Sequence, residues 1–468
     1  MNRFLFSSLI LLATGCNFSP VAQAPKMDVP ARFKESEGWK VAKPADGKPR
    51  GDWWSAFHDS ELNAIMKGVS VSNQTLQAAA ARAEQSAAVL KSAKQAFLPT
   101  LGTAGSITRN KSGAGGGSSN INALSSGGGA GGARDIHSVS LSVNWEVDLW
   151  GRLRHGAKAA VADVEAANAD VESTRLSLQT QAAQTYFSLR SADAQKALLE
   201  QQVASYEKSL ELTKNREAQG VAAKADVAQA QTQLATTRAA LIELDVQRST
   251  LEHALAALTG TMPASFGVKR AELTASIPSL PSGTPSTVLQ RRPDIAAAER
   301  RVAAANERVG MANAAFFPSL SLNGDTGWRG LADLISKANN FWSLGADVAE
   351  SILDSGKRVA QKEQAKATWK EETANYRQTV ITAMQEAEDA LSTLRVLAAE
   401  SVAQDEAVRS ARESERIAIN QYQAGTLTFL NVITAQTTAL NAERAAIELR
   451  ARRLNAVVAL VKALGGTW

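Results

Sequence analysis

A chain of 468 residues with 44% apolar and 21% charged side chains has the material for a large ordered core, which excludes wholesale disorder. A net charge of +5, without a lysine or arginine run and with only 5% aromatics, argues against nucleic acid as a partner. Four histidines and one cysteine leave little from which to build a metal site, and neither metal nor cofactor is expected.

The sequence opens MNRFLFSSLILLATGC, with one arginine, an apolar run from Phe4 to Ala13, and then Thr14-Gly15-Cys16. So short an apolar segment ending in small residues predicts a secretory signal over 1–15 instead of a membrane span, which needs roughly 20 apolar residues. Cys16 after Thr-Gly resembles a bacterial lipobox, although Ala13 stands where leucine is commoner. That resemblance implies a covalent lipid on Cys16, and Asn17 implies sorting to the outer membrane. The alternative is a plain signal peptide with an incidental cysteine.

Residues 16–58 carry Pro20, Pro25, Pro30, Pro44 and Pro49 and show no periodicity, so they are expected to form an extended arm. The ordered protein is expected to start at GDWWSAFHDSELNAIM. Asp59 or Ser60 is suited to cap a first helix, and Ser72 or Asn73 a second that runs to about Phe97 and stops at Pro99. A weak strand pattern over Thr100 to Thr108 leads into a Gly/Ser-rich segment, 111–133, that is a flexible loop by composition. It lacks the Gly-Lys-Ser/Thr ending of a phosphate loop. Val139, Leu141, Val143, Trp145 and Val147 then alternate with Ser138, Ser140, Ser142, Asn144 and Glu146, which predicts a strand with one apolar and one polar face. From Gly151 to Gly260 there is no proline. Val164, Val171, Leu178, Leu199 and Tyr206 share a seven-residue register, with Thr185 and Ala192 between them, as in a coiled-coil seam. A break at Gln219-Gly220 divides the run, and its first helix would extend about 100 Å.

The pattern then repeats. RAEQSAAVLKSAKQAFLPTLG (82–102) is echoed by RVAAANERVGMANAAFFPSLS (301–321), and a second alternating hairpin occupies 319–352. DSGKR launches another proline-free run, broken at YQAGTLTFLNVITAQ as the first is at EAQGVAAKADVAQAQ. Two structural repeats, 59–279 with a hairpin over 100–147 and a tip near 220, and 280–468 with a tip near 425, are the expected domains. Each contains helix, strand, loop, strand, long helix, tip and helix. Four strands per chain cannot close a barrel, and an open edge in lipid costs several kcal/mol per unpaired backbone group. If these strands meet lipid, several chains must pool them, with Trp145 and Trp342 at the interfacial belts. The competing expectation is a small soluble sheet packed on helices.

DWWSAFHDSELNAI, NQTLQAAAARAEQS, WEVDLWGRLR, VLQRRPDIAAAERRVAAA and the YQAG…NVITAQ tip occur in an order that resembles the TolC-like outer-membrane factors. The resemblance is in particular to the lipoprotein, NodT-type branch found with resistance-nodulation-division efflux pumps. It implies a mainly α protein with a membrane β-barrel: a homotrimer sharing twelve strands in the outer membrane above an α-helical tunnel through the periplasm. It also implies a passive exit duct, not an enzyme, served by a periplasmic adaptor and an inner-membrane transporter. His58, His137, His155 and His253 are dispersed, and no nucleophile triad or HExxH appears. By the same resemblance Gly220, Val221, Gly425 and Thr426 are the adaptor-contact positions, and Tyr422 and Asp226 match residues that tie tip helices together. Leu427 takes the place of an arginine partner, and the aspartate rings of the constriction fall on Asn431 and Thr434. Neutral rings imply weak cation selectivity and a gate held by packing and neutral hydrogen bonds. The alternative is that Asn431 and Thr434 pack between helices. Two other functions share some of these features: a type I protein-secretion channel with the same fold, and a lipid-anchored coiled-coil spacer without a pore.

Overall fold

The computed structural model describes residues 51–111, 133–278, 291–330 and 335–466. The expected signal peptide, Cys16, most of the arm and most of the Gly-rich loop lie outside the described residues. Among those described, the helices are α1 (Ser60–Ser72), α2 (Gln74–Gln95), α3 (Arg152–Ala218), α4 (Lys224–Leu258), α5 (Pro293–Ala314), α6 (Lys357–Gln423) and α7 (Phe429–Ala463). The strands are β1 (Thr100–Asn110), β2 (Arg134–Val147), β3 (Ser319–Gly330) and β4 (Asn340–Ala349). The chain divides into two compact units. One centres on Glu84–Val164 and Arg300–Thr373, the other on Glu165–Glu299 and Ala374–Trp468 together with 51–83.

The first unit holds the sheet, in the order β1-β2-β3-β4, with every neighbouring pair antiparallel. Residues paired across strands share a face, so the register sorts every side chain. One face carries Leu101, Ile107, Val139, Leu141, Val143, Trp145, Val147, Leu320, Leu322, Trp328, Trp342, Leu344 and Val348. The other carries Ser106, Ser138, Ser140, Ser142, Asn144, Asn323, Asp325, Ser343 and Asp347. Its polar groups bond to each other: the Ser106 and Ser138 hydroxyls lie 2.8 Å apart, and the Asn323 amide donates to Asp347. The apolar face is most exposed on β4, with Leu344 81% and Trp342 76% exposed, while Val147, Leu320, Leu322 and Trp328 are half-buried. β2 and β3 are bound below the sheet as well. There Trp150 stacks on Phe317 at 4.9 Å and its indole N–H donates to the Pro318 carbonyl at 2.7 Å.

The second unit is helical. Asp59 caps α1, accepting from the Glu61 and Leu62 N–H groups at 3.0 and 3.1 Å, and Asn73 caps α2 through the Leu76 N–H. The end of the segment assigned to the arm is packed: Trp53–Phe57 forms a turn of 3₁₀ helix, and Trp53, Trp54 and Phe57 join Leu62, Met66, Tyr186, Phe187, Leu255 and Val458 in one core. Arg190 is buried there, satisfied by Tyr186, Glu61 and Asp193 at 3.0, 2.7 and 3.0 Å. At the start of α5, Arg292 pairs with Asp294 and Glu386, both at 2.6 Å, so the RPDI motif is an ion-paired helix start with Ile295 in the core. The seven-residue register of α3 is buried at Ala192, Leu199 and Tyr206 and continues one step further, to Thr213. α6 repeats the spacing with Ala383, Ala390, Leu397, Ala411 and Ala418 buried. Small side chains at that period let helices approach closely along their length. Among the described residues no helix is long and apolar enough to cross a membrane.

Candidate functional site

Both tips are built alike. Gly220 and Gly425 have φ of 74° and 78°, a left-handed conformation that glycine adopts without penalty. At the first, the Gly220 N–H reaches the Glu217 carbonyl and the Val221 N–H the Arg216 carbonyl, both at 2.8 Å. At the second, Gly425 reaches Tyr422 and Thr426 reaches Gln421, both at 3.0 Å. This pair of bonds satisfies the last carbonyls of α3 and α6 and turns the chain. Val221 and Thr426 are left exposed at equivalent places.

The tips are tied to each other by a residue that the sequence did not single out. Arg216, in the last turn of α3, donates to the Tyr422 and Gln423 carbonyls at 3.0 and 3.3 Å, and its guanidinium lies 4.8 Å from the centre of the Tyr422 ring. A cation is favoured at a helix C-terminus because the end carbonyls there are partly unsatisfied. Tyr422 is buried against Phe429 and lies among Leu210, Leu212, Ala230 and Val432, with its hydroxyl 3.5 Å from that of Thr213. The tip therefore includes a charged tie besides packing and neutral hydrogen bonds. One signal in the sequence marks it: a basic residue in the last turn of a helix.

The remaining expected positions divide between two environments. The Asp226 carboxylate accepts from the Ala223 N–H at 3.4 Å, at the start of α4, and is half-buried. Asn431 and Thr434 are exposed and lie one turn apart on α7, on a polar stripe continued by Thr438 and Asn441. The opposite face of α7 buries Phe429, Val432, Ala435, Gln436 and Ala439. Within the chain, then, Asn431 and Thr434 do not pack between helices. Leu427 is half-buried. Further along the same helices, burial and then the neighbouring Glu443 raise the Glu415 carboxyl above the usual glutamate range, while Arg412 and a hydrogen bond from Gln436 act against that.

Two structural signatures now stand together: a sheet apolar on one face and polar on the other, and paired helical tips with a polar exposed stripe. Residues 68–261 and 284–466 match the family described as outer membrane efflux protein. The chain is 30% identical, over all of its length and 97% of the relative's, to the pyoverdine export outer membrane protein OpmQ of Pseudomonas aeruginosa. It is also 30% identical, over 97% of its length and 93% of the relative's, to the antibiotic efflux pump outer membrane protein ArpC of Pseudomonas putida. The solved outer-membrane channel OprN superposes with a TM-score of 0.87 at 28% identity, covering 97% of this chain and all of that one. The chain belongs to the outer membrane efflux protein family, with the TolC-like channel fold.

Proposed function

We propose that three copies of this chain pool their strands into one twelve-stranded barrel and together form a passive exit duct through the outer membrane. The sheet carries the proposal. Its apolar face suits lipid and its polar face a water-filled lumen, while β1 and β4 are edge strands with unpaired backbone groups. Each such group left bare in hydrocarbon costs several kcal/mol, so the edges require partners. The copy number follows the resemblance to TolC-like channels.

In this assembly the long helices line a water-filled bore through the periplasm, with Asn431 and Thr434 facing it and Tyr422 and Asp226 holding the tip. Gly220, Val221, Gly425 and Thr426 meet a periplasmic adaptor, which links the duct to an inner-membrane transporter of the resistance-nodulation-division type. That transporter supplies the energy. A lipid on Cys16 anchors the N-terminus to the outer membrane and contributes nothing to the pore, since one acyl chain only holds a protein to a surface. Relatives of equal identity are named for pyoverdine export and for antibiotic efflux. That supports a duct for drugs and other small molecules in which the pump selects the cargo.

Mass in detergent, with single-channel recording in a planar bilayer from the same sample, tests the proposal. A trimer with small or infrequent openings is expected. A monomer that never conducts would overturn it.

A further inference from the structure

The two halves of the chain can be put in correspondence without using the sheet. Pro99 and Pro318 each stand one residue before a strand, β1 at Thr100 and β3 at Ser319. Gly151 and Gly356 have φ of 81° and 83°, and each stands one residue before a long helix, α3 at Arg152 and α6 at Lys357. These anchors equate Leu101 with Leu320 and Val143 with Val348. The first hairpin pairs Leu101 with Val143, and the second pairs Leu320 with Val348. Two anchors chosen outside the ladders thus reproduce the register inside them.

Between the halves, β2 meets β3 with Val147 opposite Leu320, Leu141 opposite Thr326 and Ser142 opposite Asp325. By the same correspondence the β2 residues Val147, Leu141 and Ser142 have the equivalents Ile352, Ala346 and Asp347. The β3 residues Leu320, Thr326 and Asp325 have the equivalents Leu101, Ile107 and Ser106. We infer that the β4 edge of one copy pairs with the β1 edge of the next in the register that β2 keeps with β3. Ile352 then lies opposite Leu101 of the next copy, Ala346 opposite Ile107 and Asp347 opposite Ser106. This rests on the shared barrel proposed above and specifies its seam.

Exposure agrees with the assignment. Leu101 is 67% and Ile107 73% exposed, both on the apolar face, while Ile352, 94% exposed, lies three residues past the end of β4 at Ala349. The register sets Ile352 against Leu101 and covers Ile107 with β4. A slip of one residue would turn the apolar set of β4 towards water. A slip of two would keep the faces but set Ile352 against Pro99 or Thr103. The seam between copies also differs from the one within the chain. Below the sheet, the equivalents of Trp150 and Phe317 are Ser355 and Leu98, so the ring stack that fastens β2 to β3 has no counterpart there.

Paired cysteines on the polar face test the register. Directly opposite residues hold their Cβ atoms roughly 4.5–5.5 Å apart and diagonal ones 7–8 Å, so only the former readily form a disulfide. Ser106→Cys would be combined with Asp347→Cys, and separately with Gly345→Cys or Ala349→Cys, each with single-cysteine controls and a mass in detergent. The expected result is a gain of disulfide-linked dimer and trimer on oxidation of the Asp347 variant, with little in the other two. A trimeric mass with linkage through Gly345 or Ala349, or with no linkage, overturns the register and leaves the shared barrel standing. A monomeric mass overturns the shared barrel, and the register with it.

Discussion

Arg216 holds the second tip by hydrogen bonds to two carbonyls and by its stacking on Tyr422. Its truncation in Arg216→Ala is expected to weaken the tip by about 2 kcal/mol, combining charged hydrogen bonds with a partly exposed cation–π contact. Amide hydrogen exchange over 213–223 and 420–430 should accelerate accordingly; unchanged protection would remove Arg216 from the tie. Thr434→Asp tests the other side of α7. A carboxylate ring in the bore should raise cation preference in bilayer recordings, and no rise would take Thr434 out of the pore lining. Glu415 gives a pH dependence. Its carboxyl is raised by burial first and Glu443 second, so the folded tip binds more protons than the unfolded chain. Stability therefore falls as pH climbs from the ordinary glutamate range through the raised value. Glu415→Gln should be more resistant than the parent to urea at neutral pH, with the advantage gone in acid below that range. An advantage that persists in acid would point to packing instead of charge.

At the scale of elements, the sheet makes the sharpest demand. Leu141 and Ser142 are neighbours on β2 with opposite fates, one on the apolar face and one opposite Asp325. Leu141→Arg should cost about 2–4 kcal/mol in a lipid-facing strand, whereas Ser142→Arg is expected to be tolerated. Thermal dissociation of the proposed trimer in detergent measures both, and equal losses would mean that the faces are misassigned. β2 was legible in the sequence because its alternation is unbroken from Ser138 to Val147. β1 was only weakly so, since the same face of it reads Leu101, Thr103, Gly105 and Ile107, where threonine and glycine dilute the period. The α3 seam was visible through Leu199 and Tyr206 but not at Thr213, a buried hydroxyl that donates to the Ser209 carbonyl in its own helix and accepts from Tyr422 of α6. Arg216 escaped for a related reason. Its acceptors are backbone carbonyls of a distant segment, and carbonyls leave no mark on a pattern of side chains.

At the scale of the whole molecule, the proposed lipid on Cys16 and the proposed pore are expected to be separable. Cys16→Ala behind a cleavable signal is expected to assemble into trimers with slower sorting to the outer membrane, scored by membrane fractionation. Absence of trimers would make the anchor an assembly requirement. The exposed apolar side chains and two free edges of the sheet have a consequence for how the protein is made. A single chain in water carries an exposed β surface of the kind that nucleates aggregation. If the chain assembles as proposed, its hazardous interval is the transit between secretion and meeting two sisters, when it is folded enough to present strands and not yet paired. Yield should thus depend on encounter rate and on holdase chaperones more than on the stability of the finished trimer. Overproduction, which fills that interval with unpaired chains, should favour aggregates over channels.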